Sequence, residues 1–199
     1  MTDWFHRRAE SLANQTARRF GGAAALSAAA TVAATLGLVG CSTAPTAPLP
    51  TVAQVDLLRY SGRWYEVASL PNRFQAQCVA DTQAQYRASG GDIEVINRCR
   101  RADGGVEAVT GVAKVVAGSG NAKLRVSFFR PFYGDYWVLA LAPDDRWALV
   151  GEPGRQFGWV LSRTPQMAPA DLEAALARAD TLGFARAAFK RTPQTQPLD

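Results

Sequence analysis

An all-β domain of eight short strands followed by one helix is the architecture the sequence predicts, on three observations. From Leu57 to Arg163 the chain offers no long helical period. Short apolar or alternating runs recur through that span, as half-buried strands require. Turn-forming pairs of Gly, Pro, Asn and Asp divide each run from the next. Eight strands at this spacing fit an up-and-down barrel or a two-sheet sandwich.

In order, the expected strands are RWYEVASL, CVADTQAQYRA, DIEVINRC, GVEAVTGVAKVV, AKLRVSFF, DYWVLALA, RWALVGE and FGWVLSR. The breaks are Ser89-Gly90-Gly91, Asp103-Gly104-Gly105, Gly118–Asn121, Tyr133-Gly134, Pro143–Asp145 and Pro153-Gly154. In PADLEAALARADTLGF, Leu172, Leu176, Ala179 and Leu182 share one helical face, Pro169 suits the first turn and Gly183 a C-terminal cap. Phe184–Lys190 reads as a short ninth strand. No internal repeat is found.

Composition narrows the chemistry. The 199-residue chain carries a formal net charge of +5, and its single histidine is His6. Four of the 22 Lys and Arg side chains and two of the 17 acidic ones fall within residues 1–40. Without a dense basic run, this modest charge argues against nucleic acid as a partner. If residues 1–40 are removed, no imidazole remains for a Ser-His-Asp or Cys-His nucleophile or a His-liganded zinc. No cofactor or metal is expected.

Gly21–Gly40 is free of charge, follows Arg18-Arg19 and ends in small residues. A retained membrane anchor of twenty residues is one reading; a signal peptide is the better one. Its end, Leu38-Val39-Gly40-Cys41, resembles the bacterial lipobox, which implies cleavage before Cys41 and a diacylglyceryl thioether on its thiol, with palmitate among the acyl chains. Two or three acyl chains make a stable anchor, each buried CH₂ contributing about 0.8 kcal/mol. Ser42 after the cysteine implies the outer membrane by the same resemblance. The expected organisation is therefore a signal peptide over 1–40, an acylated Cys41 with a Pro/Thr/Ala-rich tether over 41–54, a folded domain over 55–191 and a tail over 192–199.

Three segments then identify a family resemblance. Gly62-Arg63-Trp64-Tyr65 matches the Gly-x-Trp that opens the first lipocalin strand. Gly134–Val150 resembles the second lipocalin motif, with Pro143-Asp144-Asp145 in place of Thr-Asp-Tyr. WVLSRTP, Trp159–Pro165, matches the third. The similarity is strongest to bacterial lipocalins, outer-membrane lipoproteins with the domain facing the periplasm. It implies a closed eight-stranded antiparallel up-and-down barrel, a C-terminal helix and a short ninth strand. It also implies that Gly62, Trp64 and Arg163 form the barrel floor, the guanidinium lying over the indole, and are structural.

A barrel of this size holds one small ligand where its inward side chains leave room. With Lys123, Arg125 and Ser127 facing water, Leu124, Val126 and Phe128 face inward. Likewise Gln83 and Gln85 point out and leave Ala84 and Tyr86 inside, and Asp92 and Glu94 leave Ile93, Val95 and Asn97. Trp159 shares parity with Arg163. The run DYWVLALA is apolar on both faces, and Tyr136 and Val138 are assigned inward. Period two from Trp64 also carries Glu66 inward. The resemblance implies a lipid ligand with an apolar chain, a fatty acid or a lysophospholipid, in a role of cell-envelope maintenance.

Cys78 and Cys99 lie on successive expected strands, behind a sequence that directs the chain to an oxidising compartment. Their numbers centre a hairpin between Ala88 and Ser89, so a disulfide is expected. A strict two-residue Gly90-Gly91 turn would misalign them, and a bulge or longer turn is needed. Partners expected are the lipid ligand, the membrane reached through acyl chains, and a second copy of the chain in a homodimer. Two other functions compete with lipid binding. One is catalysis by Glu66 or an unpaired Cys78, for which no imidazole base is at hand; the chain is therefore read as no enzyme. The other is a filled barrel that docks a protein.

Overall fold

The computed structural model describes residues 48–198; the signal-peptide segment and Cys41 lie outside them. A four-residue helix, α1 (Leu57–Tyr60), leads into β1 (Gly62–Ser69), β2 (Cys78–Ser89), β3 (Asp92–Arg101), β4 (Val106–Val115) and β5 (Lys123–Phe129). These are followed by β6 (Phe132–Leu141), β7 (Trp147–Gly151), β8 (Gly158–Ser162), α2 (Pro169–Thr181) and β9 (Lys190–Arg191). Each strand from β1 to β8 pairs antiparallel with the next, and β1 pairs with β8 as well as β2, which closes the barrel. Alternate connections share an end. The turns before β3, β5 and β7 lie with Arg163 at the floor, and those before β2, β4, β6 and β8 surround the mouth.

Two apolar clusters follow from strand alternation. Trp64, Tyr86, Val95, Leu124, Val138 and Leu161 point into the barrel. Leu139, Leu149 and Val160 point outward and pack under Ala175 and Ala179 of α2. Trp137 also borders this outer cluster, so β6 serves both faces, with Tyr136 and Val138 inward. Helix α2 begins at Pro169 and stops before Gly183, whose φ of +83° fits a left-handed terminator. The ninth strand is only Lys190–Arg191, shorter than the expected 184–190, because Phe184 is buried under the helix instead. A Cβ on Gly151 would lie 2.7 Å from the Phe184 ring, so this packing requires glycine there.

The chain is packed earlier than the expected tether boundary. Leu49 is buried in the outer cluster, and the Val52 amide donates to the Val138 carbonyl at 3.0 Å. The strands, α2 and both clusters are built from residues 49–198, which gives residues 42–199 all they need to fold as a unit.

Residues 192–198, expected as a tail, are part of the barrel wall. Beyond its first half β1 leaves β2, and β9 takes the vacated edge, with Ala68 opposite Arg191 and Ser69 opposite Lys190. The Gln194 amide then donates to the carbonyls of both Glu66 and Thr82 at 2.8 Å, so one side chain links β1 to β2 where their ladder has ended. Gln83 leaves the barrel interior as its parity demands, but it is buried under the tail and donates to the Leu198 carbonyl at 2.7 Å.

Asp81 anchors this seam. Its backbone is left-handed, φ +55°, at a register shift in β2, and its carboxylate is wholly buried. Oδ1 accepts the amides of Thr195 and Gln196 at 2.7 and 2.9 Å, and Oδ2 accepts Arg100 Nε at 2.6 Å. Burial alone would raise the carboxyl pKa; the bond to Arg100 and the two amides outweigh it and hold the pKa below the usual value. A depressed folded pKa stabilises above the unfolded value, about 3.9, and that contribution is lost as pH falls through the folded one. Asp81→Ala should cost roughly 2–4 kcal/mol at neutral pH, since it strands Arg100 and two amides. Urea unfolding should show this difference shrinking toward zero as the buffer is taken well below pH 4.

Candidate functional site

At the floor, Arg163 Cζ lies 3.8 Å from the centre of the Trp64 ring, a close cation–π contact. The guanidinium donates through Nη1 to the carbonyls of Ser61 and Arg63 at 3.0 and 2.9 Å, and through Nη2 to that of Arg59. Gly62 adopts φ +93° beside it, a conformation that favours glycine. Trp64 is fully buried, and its indole N–H donates to the Tyr60 carbonyl at 2.8 Å. These contacts tie α1, β1 and the end of β8 into one plug.

Above the plug the interior changes with height. Ala84, Tyr86, Val95, Leu124 and Val138 are buried in the inner cluster, together with Ile93. Val126, Tyr136 and Trp159 border the same cluster but keep part of their surface exposed. Phe128 is 39% exposed, against the expectation of a buried wall residue. The ladder to β6 shifts between Val126 and Phe129, which lifts this residue toward the mouth. Its ring nevertheless covers the inner face: a Cβ on Gly111, opposite inward Val95, would lie 2.6 Å from it. Ser127, expected in water, is buried at the same irregularity.

Glu66 stands opposite Leu161 of the inner cluster and is buried, with all of its hydrogen bonds made to nearby side chains. Oε1 accepts the hydroxyls of Ser69 and Thr192 at 2.8 and 2.6 Å, and Oε2 accepts Gln75 Nε2 at 2.7 Å. The other end of Gln75 accepts the Trp159 indole N–H at 2.9 Å. Gln75 comes from a 3-10 turn, Arg73–Gln75, that follows β1 at the mouth. The carboxylate therefore straps a mouth loop to the wall, satisfying its own buried charge with donors.

The mouth is apolar. Phe74, Phe129 and Phe132 are 62%, 76% and 70% exposed, and Val79, Val106 and Val109 are also exposed near this end. Phe129 and Phe132 stack at 6.3 Å, Phe74 packs on Phe157 at 5.6 Å, and Arg73 lies over the Phe74 ring. Exposed apolar surface gathered at one end is uncommon on a soluble monomer and marks a contact region.

Cys78 and Cys99 are joined in a disulfide, as their placement on successive strands predicted. The turn is the strict Gly90-Gly91 pair, with Ser89 opposite Asp92. Register shifts after Cys78 and again after Ala80 bring the two Cα atoms to 5.6 Å. Among the described residues no cluster of His, Cys, Asp or Glu is arranged to hold a metal, and no helix is long and apolar enough to cross a membrane.

A hydroxyl cluster was not foreseen. Tyr60, Tyr86 and Tyr136 meet just above the plug, with Tyr136 Oη 2.8 Å from that of Tyr60 and 2.9 Å from that of Tyr86. Tyr60 sits in the short helix before the barrel, where strand alternation says nothing. Its spacing of four from Trp64 was the only available signal.

A closed barrel with a sealed floor, an apolar interior and exposed aromatic rings around its mouth has the form of a carrier for a small hydrophobic molecule. Residues 55–194 match the Lipocalin-like domain family. The chain is 38% identical over 150 residues to the outer membrane lipoprotein Blc of Escherichia coli K12, spanning 74% of this chain and 84% of that one. It is 37% identical over 156 residues to temperature-induced lipocalin-1 of Arabidopsis thaliana, covering 74% and 83% of the two chains. Insecticyanin of the tobacco hornworm Manduca sexta shares the fold, with a TM-score of 0.62 at 20% identity over 74% of this chain and 85% of that one. The chain belongs to the lipocalin family.

Replacing Arg163 by Lys keeps the charge but removes the planar fork that serves three carbonyls. The R163K variant should lose about 2 kcal/mol in urea unfolding, with the disulfide and the barrel CD spectrum retained.

Proposed function

We propose that this protein is a membrane-anchored lipocalin that binds or transfers a single-chain lipid, a fatty acid or a lysophospholipid, for maintenance of the cell envelope. The observation that carries the reading is the partly exposed inner surface of Val126, Tyr136 and Trp159 beneath a mouth of exposed phenylalanines. Apolar walls favour a chain by area: burying twelve to sixteen carbons is worth on the order of 10 kcal/mol before ordering costs, enough for about micromolar binding. The exposed rings at the mouth suit transfer from a bilayer, where aromatic side chains rest at the headgroup boundary. Arg73 and Arg130 beside those rings match an anionic lipid surface.

The anchor in this reading is acylated Cys41, supported by the Leu38–Cys41 tetrapeptide and by similarity to a protein named as an outer membrane lipoprotein. It places the barrel at the periplasmic side of the outer membrane. Cys41→Ser should abolish palmitate labelling and move the protein out of the outer-membrane fraction.

Native mass spectrometry of residues 42–199, exported so that the disulfide forms, tests the binding itself. Lysophospholipid or fatty acid should give a one-to-one adduct, and Val126→Gln should weaken it at least tenfold by placing an amide in the chain's path. An oxidised, folded protein that takes up no chain would sink the reading and favour a filled barrel that docks a protein.

A further inference from the structure

The tyrosine cluster above the plug has an unbalanced proton count. Three hydroxyls bring three protons, yet among the described residues they make two mutual hydrogen bonds and no other. Tyr86 donates to Tyr136, and one further proton serves the Tyr60–Tyr136 bond. In every arrangement one O–H is left without an acceptor inside a buried site, which is costly unless something supplies one. Burial pushes all three phenols above their usual pKa, that of Tyr86 up to about 12, so they remain protonated donors at neutral pH. Tyr60 and Tyr86 are buried, whereas Tyr136 keeps exposed surface. Tyr136 can accept from both neighbours and turn its own proton toward the interior.

A second orphan lies on the inner face of β3. Asn97 stands opposite Ala84, one inward step toward the mouth from the Tyr86–Val95 pair, and its buried Oδ1 has no hydrogen-bond partner. The inner face thus offers a spare donor in the tyrosine cluster and a spare acceptor one inward step nearer the mouth than Tyr86. Toward the mouth the same face carries Glu107, opposite Cys99, and Arg101, which are paired with each other, Arg101 also meeting Asp103. Deeper in, Glu66 is engaged by Ser69, Gln75 and Thr192.

We propose that Tyr136 and Asn97 form a polar subsite deep in the barrel for the small uncharged oxygen end of a single-chain lipid, which enters oxygen first. This rests on the lipid-binding reading above and names the end of the ligand that goes in. A primary hydroxyl accepts from Tyr136 and donates to Asn97, matching both orphans. A carboxylate brings a charge that no cation beside Tyr136 and Asn97 meets, Arg101 at the mouth end being paired with Asp103 and Glu107. A phospholipid headgroup is too polar to enter, so its chain goes in first and its head stays at the mouth.

The test compares three probes of equal chain length on residues 42–199 at pH 7.5: dodecanol, dodecanoate and dodecanoyl lysophosphatidylcholine. Dodecanol should bind at least tenfold more tightly than dodecanoate. Tyr136→Phe should weaken dodecanol about tenfold while changing the lysophospholipid by less than twofold. Asn97→Leu should weaken dodecanol similarly and raise the thermal midpoint, since it removes a buried orphan. Equal losses for all probes in Tyr136→Phe would overturn the subsite and make the tyrosine a packing residue. Unchanged dodecanol binding in both variants would overturn it in favour of a trapped water. Lysophospholipid bound by wild type without preference for dodecanol would end this proposal alone, and no binding of any probe would end the lipid-binding reading with it.

Discussion

Closure of the sheet at β1 is the constraint on which the rest of the molecule depends. A strand with both edges paired has no exposed ladder, and here one short strand must serve β8 on one side and β2 and β9 on the other. The lower half closes by ordinary pairing from Gly62 to Tyr65. The upper half does not, because β2 bends away at Asp81. Gln194 and the chain after β9 fill that gap, so residues beyond the last strand complete the wall. Asp81 makes this work through charge and geometry together: its left-handed backbone bends β2, and its carboxylate captures the chain that replaces β2.

The same bend accounts for the disulfide. A two-residue turn fixes a register that would hold Cys78 and Cys99 apart, and the irregularities around Asp81 restore their alignment. The bond then staples the departing end of β2 to β3, near the point where β2 has lost its contact with β1. A covalent constraint contributes most where the ladder is weakest, because that is the part that would open first.

Strand number, order, the helix and the floor motif were legible because each depends on local pattern: alternation of side chains, turn residues, or a short motif. The inward set was legible for the same reason, and Ala84, Tyr86, Val95, Leu124 and Val138 share the inner cluster. What escaped depends on residues distant in sequence. Gln83 obeys its parity yet is buried, because a segment more than a hundred residues later lies on it. Phe128 keeps its side of the sheet but reaches the mouth, because a register shift in β5 is invisible to strict period two. The Asp81 seam and the Tyr60–Tyr136–Tyr86 cluster join three or more elements, and no single window of sequence contains their parts.

The two ends of the barrel are held by different forces, and this difference bears on how a ligand enters and leaves. At the floor, a buried indole, a guanidinium over it and three carbonyl bonds act on adjoining segments, so opening that end would expose charge and aromatic surface together. At the mouth, the loop carrying Phe74 is held mainly through Gln75, whose amide links Glu66 to the Trp159 indole. A strap of a few side-chain hydrogen bonds releases at far lower cost than a packed plug, since each such bond is worth about 1 kcal/mol net. Of the two ends, the mouth is therefore the one that opens at lower cost, and it is the end that carries the exposed phenylalanines.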